Sequence, residues 1–164
     1  MTSLTQKFST LALFFLVFGA STALAQNNDN QVSFTATATG VLTGVTKLPG
    51  GLTQLSFNGS GKATHLGDYT GSAARIEDNQ GNFGTTAVFI GSNEKDSVFL
   101  SVSGRFEISK DKCVGTSIGT YIVTGGTGAF ANATGSGIFE AQRDVCAGTG
   151  SGTYTGTISR PNLN

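Results

Sequence analysis

The chain has 164 residues, with 10 Lys and Arg against 10 Asp and Glu for a formal charge of zero, 24 glycines, two cysteines and no tryptophan. Charges so balanced and so thinly spread exclude an electrostatic footprint for nucleic acid or an anionic membrane surface, and neither partner is expected. The length suits one domain with one core once a short leader is set aside.

That leader comes first in chain order. Lys7 precedes an apolar run from Leu11 to Ala20, and Ala23-Leu24-Ala25 stands just ahead of Gln26. This is the layout of a secretory signal peptide cut after Ala25. The run is too short to cross a bilayer, for which a helix needs roughly 20 apolar residues. The expected organisation is a signal peptide at 1–25 and a single β-barrel domain at 26–164, secreted or periplasmic, with no membrane contact after cleavage. Loss of Lys7, the leader's one ionisable side chain, moves the formal charge from 0 to −1.

The remainder reads as strands. Val98, Leu100, Val102, Phe106 and Ile108 alternate with Ser97, Ser101, Ser103, Arg105 and Glu107, the period of a half-buried strand, with Phe99 the exception on the polar side. The last run alternates Gly150, Gly152, Tyr154, Gly156 and Ile158 with Ser and Thr. The same reading predicts strands at 32–45, 52–65, 69–77, 83–90, 97–108, 118–124, 136–142 and 149–159. Turn chemistry separates them: Pro49-Gly50-Gly51, Leu66-Gly67-Asp68, Asp78-Asn79-Gln80-Gly81, Ser92 to Asp96, and a glycine cluster at Gly125, Gly126 and Gly128. That cluster is expected to reverse the chain after 121–124 through positive φ. Eight short-linked antiparallel strands close into an all-β up-and-down barrel, which leaves no edge to template aggregation. A β-sandwich is the alternative.

In such a barrel the connections alternate between two ends. Cys113, between the fifth and sixth strands, and Cys146, between the seventh and eighth, fall at the same end. In an exported chain these two are expected to form a disulfide, with two free thiols as the alternative. No metal is expected, since two cysteines and the distant His65 lack ligand spacing.

The segment from Val98 to Gln142, with SVSGRF at Ser101 to Phe106 and YIVTGGTGAFANATGSGIFEA at Tyr121 to Ala141, resembles the allene oxide cyclase and dirigent barrel group. Members of that group carry a comparable GG-[ST]-G-x-F turn between late strands. The resemblance implies a calycin-like eight-stranded barrel, commonly trimeric, with an apolar cavity open at one end. It does not carry the cyclase activity across, because the acidic residue and asparagine that allene oxide cyclases use near the first strand have no counterpart in VSFTATATGVLTGV, residues 32–45.

Candidate chemistry is sparse. His65 shares parity with Leu55, Phe57 and Ala63 on an unbroken strand, which would put the one imidazole inside a barrel mouth, with Asp68 three residues on and Arg75 and Glu77 on the next strand. A histidine beside a turn is more often a hydrogen-bonded structural residue. Asp78 to Asn82 lacks the distal glutamate of a calcium loop and reads as a hairpin turn. Asn58-Gly59-Ser60 and Asn132-Ala133-Thr134 match glycosylation sequons. Three functions are consistent with these residues. The favoured one is a binder of a small apolar molecule, with Phe57, His65 and Tyr154 as ligand contacts, no cofactor and no assigned catalytic residue. The others are a cyclase or isomerase working in the cavity, and a structural or surface-interaction domain whose barrel is filled by its own side chains.

Overall fold

In the computed structural model, which describes residues 30–110, 112–159 and 161, the chain forms a closed barrel of eight antiparallel strands in sequence order. They are β1 (Gln31–Lys47), β2 (Thr53–Ala63), β3 (Gly67–Glu77), β4 (Asn82–Gly91), β5 (Ser97–Ile108), β6 (Val114–Thr127), β7 (Gly135–Asp144) and β8 (Thr149–Ser159). The expected barrel is therefore the observed one, and the sandwich is ruled out. The expected signal peptide and its cleavage site lie outside the described residues.

Closure is made by β1 against β8, in register from Gln31 opposite Ser159 to Val41 opposite Thr149. Alternation then decides what fills the interior. From β1 to β8 the inward positions include Phe34, Ala36, Tyr69, Phe89, Leu100, Val102, Tyr121, Val123, Tyr154 and Ile158, all buried, while their neighbours in sequence are largely Ser, Thr and charged residues facing out. Two irregularities interrupt the ladders, at Thr43 on β1, between Leu42 and Gly44, and at Thr124 on β6, opposite Phe99 and Leu100. Phe99 stays on the outward side of β5, its ring over Gly125, 3.8 Å from where a Cβ would stand.

The β2–β3, β4–β5 and β6–β7 turns share one end of the barrel. At the other end the β5–β6 and β7–β8 loops are joined by Cys113–Cys146, whose Cα atoms are 5.1 Å apart across 33 residues of chain. A loop of that length stabilises the fold by roughly 3 to 4 kcal/mol in the chain-entropy account. The β3–β4 hairpin is held by Asp78, whose Oδ1 accepts the Gln80 and Asn82 backbone N–H groups at 2.8 and 2.9 Å. The Asn82 side chain on Oδ2, with those backbone bonds, holds the Asp78 carboxyl below its usual pKa.

The glycine cluster acts only partly as expected: Gly125 and Gly128 take positive φ, 144° and 58°, but the reversal does not follow Thr124. β6 runs on through Gly125 and Gly126 to Thr127, and the reversal comes later, through Gly128–Phe130 and Asn132, with φ of 58° at Gly128 and 61° at Asn132. Gly126 is required by closeness, since a Cβ there would meet the Ser97 carbonyl and Phe130. Gly128 is required by both its φ and its neighbour Asp96, which accepts the Ala129 N–H on Oδ1 at 2.8 Å and so ties the β4–β5 turn to the β6–β7 turn.

Gly128→Val is expected to lower stability by about 2 kcal/mol or more, through strain and displacement of Asp96, as read by chemical denaturation. Asp96→Asn tests the tie itself. The Ala129 N–H, and next the Asn93 side chain, hold the Asp96 carboxyl below its usual 3.8, so its contribution is fully present above that pH and lost as pH falls through the lowered value. The stability difference between wild type and Asp96→Asn should therefore be constant near neutrality and shrink on acidification; a difference independent of pH would contradict the tie.

Candidate functional site

The interior is divided by a layer of rings. Tyr69 stacks on Phe89 with centroids 4.2 Å apart, and Tyr154 meets Phe89, Tyr121 and Phe139 at 5.3, 5.6 and 4.9 Å. On the side away from the disulfide the barrel is filled by Phe34, Val98, Leu100, Phe130 and Ile158, each essentially without exposure. Toward the disulfide several inward positions carry little or no side chain: Gly40, Ala73, Ala141, Gly150 and Gly152. Short residues from opposing strands cannot meet across a barrel, and a cavity of about 150 Å³ remains. Its wall is mainly apolar, from Phe57, Ala73, Ala87, Phe89, Phe139 and Tyr154, with Arg75, Thr85, Ser117 and Arg143 among the inward-facing polar side chains.

Tyr154, 7% exposed, is the hub of the ring layer and also a wall of the cavity. Burial, then the neighbouring Tyr69, raises its pKa, and burial raises those of Tyr69 and of Tyr121, the last to about 12. All three are thus neutral phenols at physiological pH. Tyr69 donates to the Thr37 carbonyl at 2.9 Å, whereas among the described residues the Tyr154 hydroxyl has no hydrogen-bond partner. It can donate to, or accept from, an occupant of the cavity.

The charged side chains form one cluster. Arg75 Nη2 and Arg143 Nη2 both approach Glu77 Oε2, at 2.8 and 3.5 Å, and Arg75 Nη1 donates to Ser117 Oγ at 3.0 Å. The short Arg75–Glu77 contact is a largely buried ion pair. Aromatic faces cover the guanidinium groups: Arg75 lies 3.6 Å above Phe83 and Arg143 lies 4.0 Å above Phe106. Burial pushes Arg75 down to about 10, with Glu77 opposing the shift and Arg143 reinforcing it, so Arg75 stays charged at neutral pH. Arg143 shifts down as well, again chiefly by burial.

Of the three residues expected to contact a ligand, Phe57 and Tyr154 line this cavity. His65 does not. β2 ends at Ala63, and His65 sits exposed in the β2–β3 turn at the end away from the disulfide, with φ of 67° and a ring nitrogen 3.2 Å from the Ser33 carbonyl. The expectation of an inward imidazole fails because the strand stops two residues before it, and parity has no meaning across a turn. Arg75, Glu77 and Arg143 do not stand out as a group in the sequence, although Arg75 and Glu77 share the parity of Tyr69 and Ala73. Among the described residues no three His, Cys, Asp or Glu side chains converge as a metal site would require.

No known family profile matches the chain, and no curated protein matches it. Among solved structures it is similar to that of the pterocarpan synthase dirigent protein GePTS1, with a TM-score of 0.47 and 15% identity over 98% of this chain and 100% of that one. The barrel assignment stands on the strand register, and the cavity on the side chains that surround it.

His65→Ala is expected to cost no more than about 1 kcal/mol, the size of one exposed hydrogen bond, and to leave any uptake into the cavity unchanged. Melting temperature and binding of a small apolar probe, measured on the same preparations, check this; weakened binding at unchanged stability would return His65 to the site.

Proposed function

We propose that this protein is an exported barrel that binds a small, mostly apolar molecule on the disulfide side of its ring layer. The observation that carries this reading is the cavity of about 150 Å³ bounded by Phe57, Ala73, Phe139 and Tyr154. A well-packed barrel interior leaves few voids larger than a water molecule, and an apolar void of about 150 Å³ is large enough to take up a benzene ring. Tyr154 supplies a hydroxyl to orient an occupant, and the aromatic walls supply contact area. Binding is favoured over catalysis because the cavity wall contains no imidazole, and the nearby carboxylate, Glu77, is engaged by two guanidinium groups. Export is supported by the leader pattern and by the Cys113–Cys146 bond, which persists in oxidising compartments.

Filling the cavity tests the reading. Ala73→Leu places three extra carbons in the void, which should reduce toluene uptake at least about tenfold while leaving the melting temperature equal or higher, because cavity filling replaces lost dispersion contacts. Ligand-observed NMR with toluene reads the first quantity and calorimetry the second. No uptake by wild type, or equal uptake by Ala73→Leu, would overturn the proposed site.

A further inference from the structure

The cavity ends on an unbalanced charge. Arg75 and Arg143 bring two cations to the inward side of β3 and β7, and among the described residues Glu77 is the one carboxylate that meets them, at a single oxygen. Among the described residues, the other carboxylates on neighbouring strands and turns are held in their own turns or exposed on the outer face, as Glu140 of β7 is. Asp144 accepts the Cys146 and Ala147 N–H groups of its own turn, Asp78 holds the β3–β4 hairpin, and Glu107 pairs with Arg105 on the exposed outer face. Among the described residues one positive charge is left uncompensated, behind an apolar wall.

The hydrogen bonds point the same way. Arg75 Nε and Arg143 Nε and Nη1 are buried without an acceptor among the described residues, with Arg75 only 6% exposed and the Arg143 side chain only 12%. Buried charged donors without acceptors are costly, and the faces of Phe83 and Phe106 offset only part of that cost. A barrel that needed only a plug at this position would do better with apolar side chains of similar volume. Both arginines line the cavity, so an acceptor entering it arrives beside them, and Arg143, the less buried of the two, is the side chain able to adjust.

We infer that the occupant is a small aromatic acid, its ring against Phe57, Phe139 and Tyr154 and its single oxyanion taken by Arg75 and Arg143. This rests on the cavity being a binding site, and it adds the charge and shape of what binds. One ring follows from the volume, one negative charge from the count of two guanidinium groups against Glu77, and an oxyanion from the planar fork of donors that a guanidinium offers.

Phenylacetate and 2-phenylethanol, of nearly equal shape but one charged and the other neutral, test it by isothermal titration calorimetry at neutral pH and low salt. Wild type should bind phenylacetate at least about tenfold tighter than the alcohol, the scale of one charge-assisted contact. Arg143→Met, which keeps an apolar stem beside Phe106, should abolish that preference, so that acid and alcohol bind the variant with affinities within about twofold of each other. Glu77→Gln removes the competing carboxylate and should increase the preference, which keeps the test decisive if Arg143→Met does not fold. Equal affinity of wild type for the acid and the alcohol would overturn the oxyanion assignment while leaving the apolar site standing. A preference that survives Arg143→Met, or that Glu77→Gln weakens, would overturn the assignment to this cluster. Binding of neither probe would remove the cavity reading itself, and this inference with it.

Discussion

Closure of β1 on β8 is the constraint from which the rest of the molecule follows. Once the eight strands form a ring, the interior volume is fixed, and every second residue of every strand must share it. The chain divides that volume unequally. Large side chains from β1, β5, β6 and β8 fill the half away from the disulfide, and the rings gathered around Tyr154 seal it. Beyond the seal many of the inward residues are glycine and alanine, which cannot reach across. The cavity is thus a consequence of where the small residues fall in the register, with no loop or lid needed to form it.

The same register places a cost next to the cavity. Two arginines and one glutamate stand inside a barrel end where apolar residues would pack more stably, and the aromatic faces of Phe83 and Phe106 are what make their burial tolerable. The disulfide pins the loops over this end, and Asp78 fixes the adjoining hairpin. Rigid backbone around a charged, incompletely satisfied cluster is an arrangement suited to receiving an acceptor, because the donors are already held in place and little ordering is left for the ligand to impose.

Much of this is legible in the sequence, for identifiable reasons. Alternation in 97–108 and 149–159 is nearly unbroken, so strand existence, facing and the inward position of Tyr154 follow directly from it. Connection parity alone places both cysteines at one end. What escapes depends on where strands stop. His65 gains an inward face only if β2 is extended past Ala63, where the turn cancels parity. Arg143 escapes for the opposite reason, since the seventh strand reads as ending at Gln142 although it continues to Asp144, on the face of Phe139 and Ala141. The glycine cluster is recognisable but its reversal is misplaced, because glycine needed for close approach at Gly126 looks the same in sequence as glycine needed for a reversal at Gly128. Pairing of Arg75 with Arg143 across the barrel is not encoded in spacing along the chain at all.

A barrel packed on one side of the Tyr154 layer and hollow on the other should differ between its halves in what it admits. Diffraction from crystals held under xenon measures this directly, because xenon enters apolar voids of this size and scatters strongly. A xenon site is expected within the wall of Phe57, Ala73, Phe139 and Tyr154, and none among Phe34, Val98, Leu100 and Ile158. Xenon absent from the first position, or present at the second, would contradict the division of the interior.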